Sequence, residues 1–116
     1  MDNLYTYKGK CTRVVDGDTI VCDIDLGFFL SLKEITLRLN RVNAPESRTK
    51  DKNEKEKGLA TKEWIKEKLE GKDIIIQTFK DKQTDAFGRY LSEVFLEDVC
   101  INDILVEKGL AVYKKY

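Results

Sequence analysis

Histidine is absent from this chain of 116 residues, and that absence removes every mechanism in which imidazole serves as base, nucleophile or metal ligand. Carboxylates, arginines and metal ions remain to carry chemistry. Net charge is also missing, because 21 lysines and arginines balance 21 aspartates and glutamates. The molecule as a whole therefore exerts no strong pull on a polyanion, and any anion site has to be local. The three cysteines, Cys11, Cys22 and Cys100, are odd in number and form no CxxC, which indicates neither a zinc site nor a disulfide framework. They read as small buried hydrophobes. One disulfide between Cys11 and Cys22 is geometrically open if the two face each other across a hairpin. Apolar runs of membrane-spanning length are lacking. The start, "MDNLYTYKGKC", has no charged and then apolar leader, so a soluble cytoplasmic chain is expected, or a secreted one if a leader has been trimmed. The length suits one modest core and is too short for two, so residues 1–116 are expected to form a single domain and to act as a monomer.

The local pattern is mostly β. "CTRVVDGDTIVCDIDL" is two β-branched runs around Asp16-Gly17, a dipeptide suited to a tight hairpin because both positions tolerate positive φ. Ile20, Cys22, Ile24 and Leu26 alternate with Val21, Asp23 and Asp25, the period of a half-buried strand. "EITLRLNRV" continues with Ile35, Leu37 and Leu39 on one face and Thr36, Arg38 and Asn40 on the other. Residues 47–58 carry no apolar side chain and read as a solvated loop leading to a helix. That helix, "LATKEWIKEKLEG", places Ala60, Trp64, Ile65 and Leu69 at helical spacing and ends at Gly71. Trp64 reads as core. Two further strands, "DIIIQTF" and "RYLSEVFL", flank the polar turn "KDKQTDAFG", and a short helix, "INDILVEKG", precedes an apolar and then basic, aromatic end. The expected fold is mainly β with helices (α+β): a five-stranded OB-type barrel with a helix after strand 3 and a short helix after strand 5.

The only proline, Pro45, sits in "RLNRVNAPE". Asp18 opens the second strand, while Asn43 and Glu46 leave the end of the third, so adjacent strands can bring them together as an oxygen-rich pocket. With the carbonyl of Ala44 added, this donor set suits calcium, which takes oxygen ligands from carboxylates, amides and backbone. The plain alternative is that Asp16 and Asp18 only serve the turn and Glu46 is a solvated charge.

"VVDGDTI", "LRLNRVNAPE" and "TDAFGR", in that order and spacing, together with "INDILVEKGLA", resemble the staphylococcal (thermo)nuclease family over nearly the whole chain. The resemblance implies an OB-fold, calcium-dependent phosphodiesterase acting on DNA and RNA, preferring single strands and leaving 5′-hydroxyl and 3′-phosphate ends. Residue by residue it implies Asp18, Asn43 and the Ala44 carbonyl as metal ligands. Arg38 and Arg89 would clamp the scissile phosphate, and Glu46 would act as general base. Phe87, Tyr113 and Tyr116 are the aromatic candidates for nucleotide contact, with barrel-end packing an equal reading for Tyr113. Three departures from the family pattern stand out. Asn43 replaces an aspartate of the best-known member, deleting one negative charge. Ala86 and Phe87 replace a lysine and a tyrosine. The chain also stops at Tyr116, before the family's C-terminal helix. The alternative reading is an OB-fold nucleic-acid-binding module with weak or no turnover.

Overall fold

The computed structural model describes residues 5–78 and 89–114. Its elements run β1 (Thr6–Asp16), β2 (Thr19–Gly27), β3 (Leu30–Leu39), β4 (Val42–Asn43), α1 (Lys52–Leu69), β5 (Asp73–Gln77), β6 (Tyr90–Leu96), β7 (Val99–Cys100), α2 (Ile101–Glu107) and β8 (Val112–Tyr113). Strands β3, β2, β1, β5 and β6 are neighbours in that order, and a parallel pairing of β3 with β6 closes them into a five-stranded barrel. The expected OB-type architecture holds, with α1 after the third long strand and α2 after the fifth. Closure removes sheet edges over the paired stretch and encloses one apolar core.

That core is the alternating face read from the sequence. Ile20, Cys22, Leu37, Leu39, Ile76 and Val94 are fully buried, with Ile65 and Leu69 of α1 and Leu105 of α2 packed among them. Each such side chain contributes on the order of 1.5–3 kcal/mol when removed from water. Trp64 is half-buried and packs against this cluster. Leu26, by contrast, is exposed, because β2 has by then run past the barrel. Cys11 and Cys22 are direct cross-strand partners, both buried and both free thiols. Its hydrogen bond to Cys11 and then burial push the Cys22 thiol far above its ordinary range.

The structure departs further from the sequence reading, and one departure is that the third strand ends at Leu39, with Val42–Asn43 a separate short strand. The Asp16-Gly17 turn does not use positive φ, which occurs at Gly27, Gly71 and Gly109 among the described glycines. Gly17 is required for space instead: a Cβ there would lie 2.6 Å from Thr61 Cγ2 and 3.0 Å from Ala44 Cβ. Residues 52–58 are helix rather than loop, started by Asp51, whose carboxylate accepts from the backbone N–H groups of Asn53 and Glu54. The buried face of α1 is Gly58, Thr61, Ile65 and Leu69, and Ala60 points to solvent. Small residues replace apolar ones where the helix lies closest to the chain beneath it. The turn "KDKQTDAFG" lies outside the described residues.

Candidate active site

At the end of β3 the chain must turn sharply to bring Asn43 back over the barrel mouth. Arg41 takes φ 68° to do so, a backbone region that costs a non-glycine residue of order 1–3 kcal/mol unless its surroundings hold it. Its side chain supplies the hold. The guanidinium donates to Glu93 at 2.6 and 3.1 Å and pairs with Asp103 of α2 at 2.9 Å, and it lies over the Tyr113 ring. Glu93 and then Asp103 hold the Arg41 guanidinium more firmly protonated than usual, while Arg41 pulls the Asp103 carboxyl below its ordinary value. Beneath the turn, buried Asn102 donates to the carbonyls of Asn40 and Ser92 and accepts from Val94 N–H. Strand β4 then pairs with β8, Asn43 opposite Val112, which pins Asn43. Pro45 confines the residue before it to extended backbone, which sets the direction of the Ala44 peptide.

Asp18 and Arg38 meet in the space this creates, 9% and 4% exposed. Arg38 Nη2 lies 3.3 Å from Asp18 Oδ2 and 3.2 Å from Asn43 Oδ1, so a single nitrogen gathers both proposed ligand side chains. The other end nitrogen, Nη1, donates to the carbonyls of Leu39 and Val42 at 2.8 and 2.9 Å. Asp18 is fixed from a second side, since Ala44 N–H donates to Oδ2 at 2.9 Å and the Thr19 hydroxyl donates to Oδ1 at 3.1 Å. Breaking such a buried ion pair by removing one partner costs about 3–5 kcal/mol.

The parallel β3–β6 pairing, Leu37 opposite Tyr90, delivers Arg89 to the same mouth. Arg89 Nη1 donates to Thr19 Oγ1 at 3.1 Å. Thr19 thus links Asp18 to Arg89, and it is also the cross-strand partner of Arg38. Glu46 is exposed, and its carboxylate has no hydrogen-bond or ion-pair partner among the described residues. Its backbone lies under α1, where a Cβ on Gly58 would come within 2.5 Å of Glu46 C and O. Tyr113 is exposed and donates to Asp103 at 3.1 Å, which raises its hydroxyl pKa. Phe87 and Tyr116 lie outside the described residues, as does Ala86.

Asp18, Arg38, Asn43, Ala44 and Arg89 therefore converge in one connected set of contacts, and Glu46 follows on the same short stretch. Among the described residues no group of three or more His, Cys, Asp or Glu is placed to hold a metal. The donors to be tested against calcium are one carboxylate, one amide oxygen and one backbone carbonyl. All three are hard oxygens, and the set fits calcium in kind. It is thin in charge, because Arg38 already offsets the Asp18 carboxylate.

Sequence reasoning passed over Thr19, Arg41, Ser47 and Gly58. Ser47, buried, donates its hydroxyl to Asp16 Oδ1 at 2.8 Å and ties the loop after Glu46 to the first hairpin. Thr19 was legible as a polar side chain opening an otherwise apolar strand beside Asp18. Gly58 was not legible, because by sequence it falls in the loop ahead of the helix; inside a helix a glycine costs about 1 kcal/mol relative to alanine. Nothing in the sequence pattern marked Arg41. Cys100, whose thiol burial pushes up to about 11, is no nucleophile.

Comparison with known proteins bears on the family of the chain. A family model described as "Staphylococcal nuclease homologue" matches residues 36–116. A thermonuclease of Staphylococcus hyicus is 31% identical over 114 residues, covering 98% of this chain and 62% of its own length. A thermonuclease of Staphylococcus intermedius is 31% identical over 104 residues, covering 90% and 58%. An uncharacterized protein of Bacillus anthracis is 28% identical over 112 residues, covering 97% and 50%. The chain thus spans half to about three-fifths of the length of these curated relatives.

Proposed function

Because this chain belongs to the staphylococcal nuclease family, we propose that it is a calcium-dependent phosphodiesterase that hydrolyses DNA and RNA, preferring single strands. The observation that carries the proposal is the shared contact of Arg38 Nη2 with Asp18 Oδ2 and Asn43 Oδ1, with exposed Glu46 three residues further along the same stretch. A structural ion pair does not need the amide.

Asp18, Asn43 Oδ1 and the Ala44 carbonyl would hold calcium, which when bound draws negative charge from the phosphoryl oxygens. Arg38 and Arg89 act on the same charge. Arg89, steadied by Thr19, presents a planar fork to the phosphate, a geometry that lysine cannot reproduce. Arg38 orients Asp18 and Asn43 and brings its own positive charge to the mouth. Glu46 accepts a proton from water as that oxygen bonds to phosphorus, and the bond from phosphorus to the 5′ oxygen breaks. The departing alkoxide takes a proton from solvent. No ribose hydroxyl takes part, so deoxy substrates are cut. Tyr113 is the base-stacking candidate at the edge beside Asn43.

A second reading draws on a specific observation. Arg38 Nη1 is committed to two backbone carbonyls, and Asn43 leaves the site with a single carboxylate ligand, both of which suit a nucleic-acid-binding module with little turnover. Denatured DNA incubated with the protein, in calcium or in chelator, separates the two. Fragments that a kinase can label at free 5′-hydroxyls, formed only with calcium, support the enzyme. Retention of intact DNA without cleavage supports the binder, and 5′-phosphate ends would show a different chemistry.

A further inference from the structure

The hairpin of β2 and β3 runs from Thr19 opposite Arg38 to Gly27 opposite Leu30, which carries its tip about 25 Å from the candidate active site at strand rise. A two-residue turn, Phe28-Phe29, closes it. Both phenylalanines have positive φ, 53° and 62°, in a turn where asparagine and glycine are preferred and aromatic residues are strained. Their side chains gain nothing by folding inward, since Phe28 is 94% and Phe29 109% exposed, with Leu26, Leu30 and Leu32 also exposed beside them. The two rings alone offer about 400 Å² of apolar surface. That equals the largest apolar patch of an ordinary monomer and is about half of what each partner of a stable interface buries.

An open cleft of about 650 Å³ lies against this tip, with Phe29 and Leu30 on one side and Ile74, Ile75 and Phe95 of the barrel on the other. Its polar lining is balanced, three lysines (Lys8, Lys10 and Lys33) among three aspartates and one glutamate. A polyanion or an anionic bilayer selects a basic surface, and this surface is not one. Mixed charge around an apolar centre is complementary to itself. Strand addition is blunted, because residues 30–36 of β3, unpaired on their outer side among the described residues, carry Lys33 and a positive-φ Glu34. Contact therefore falls to the tip side chains.

We propose that this hairpin is a homodimer interface, the Phe28-Phe29 tip of each copy seating in the cleft of the other. Phe29 lines the same cleft that receives the partner's tip, so one reciprocal exchange about a two-fold axis uses both tips and both clefts. The surface is remote from the catalytic mouth, and the proposal stands apart from the nuclease reading. It replaces the monomer expected from composition with a pair.

Light scattering coupled to gel filtration of the full chain, loaded at about 100 µM and then diluted through the micromolar range, tests it. Wild type should run with twice the chain mass and dissociate on dilution. Phe28→Asn combined with Phe29→Gly installs the turn's preferred residues, so the fold is retained while the apolar tip is lost. That variant should be monomeric, with dimer dissociation weakened at least about tenfold and melting unchanged or raised. Phe29→Asp should also be monomeric while giving a native circular dichroism spectrum. A wild type that is monomeric at the highest loading would overturn the proposal. So would a double variant as dimeric as wild type. Capture of monomeric wild type by phosphatidylcholine vesicles would overturn it in favour of a lipid partner.

Discussion

Gly58→Ala puts the positioning of Glu46 to the test. The added Cβ would sit 2.5 Å from Glu46 C and O and 2.6 Å from Ser47 N. Ordinary contact begins at 3.4 Å, so either the helix or the loop has to move by 3.4 − 2.5, about 0.9 Å. Backbone atoms on both sides leave no flexible side chain to absorb the shift, which places the overpacking cost near the upper end of about 1–3 kcal/mol. Alanine returns about 1 kcal/mol of helix propensity, for a net loss of about 2 kcal/mol and a fall of about 8 °C in melting temperature for a domain of this size. A displacement near 1 Å in a catalytic group costs on the order of 10²-fold in rate. Turnover of single-stranded DNA in calcium, measured well below the melting transition, should therefore drop far more than the stability loss accounts for. Ala60→Gly, on the exposed face of α1, is the control: about 1 kcal/mol lost and turnover kept. A Gly58→Ala protein with wild-type melting and wild-type kcat/KM would refute the idea that α1 sets the position of Glu46.

Other expectations follow from the same contacts. Asn43→Asp restores a second carboxylate beside Asp18 and should tighten calcium binding in a direct titration; equal or weaker binding would remove Asn43 from the ligand set. Asn102→Ala strips the partner from Val94 N–H and from the Asn40 carbonyl, while the Ser92 carbonyl keeps its bond from Asn40 N–H, and at about 1–3 kcal/mol for each of the two orphaned groups chemical denaturation should show at least about 2 kcal/mol lost. Arg41 lowers the Asp103 pKa, so the stability that Asp103 contributes is present above the ordinary carboxylate value of 3.8 and lost as pH falls through the depressed one. The stability gap between wild type and Asp103→Asn should accordingly exist near neutrality and close in acid, and a gap independent of pH would contradict the pairing.

The barrel was legible wherever one face of a strand is apolar and the other polar. Ile20, Cys22 and Ile24 and then Ile35, Leu37 and Leu39 announce their face by period alone, and both strands form, although the third begins at Leu30, ahead of the "EITLRLNRV" read from sequence, and ends at Leu39, with Val42–Asn43 a separate strand. The first two turns of α1 were hidden because residues 47–58 have no apolar side chain. The only residue the helix buries there is Gly58, which periodicity does not count as hydrophobic. The cap, Asp51 with Glu54 three residues on, was the available sign. The Phe28-Phe29 turn was invisible for the opposite reason, since two aromatics contradict the chemistry by which such turns are recognised. At the site, Asp18, Arg38, Asn43, Ala44, Glu46 and Arg89 stood out as residue types matched to a motif. Thr19 showed only as a polar side chain beside Asp18, and Arg41 not at all, because their importance lies in contacts across 70 and 52 residues of chain.

The most direct test of the central claim is the initial rate of single-stranded DNA hydrolysis as calcium is titrated, for wild type and for Glu46→Gln side by side. The exchange removes a proton acceptor and leaves volume almost unchanged, so nucleotide binding should persist while the rate falls by about 10²-fold or more. Wild type should show no cleavage in chelator and a saturable rise with calcium. Cleavage that persists in chelator, or a Glu46→Gln protein that follows the wild-type curve, would contradict a calcium-dependent nuclease built on this cluster.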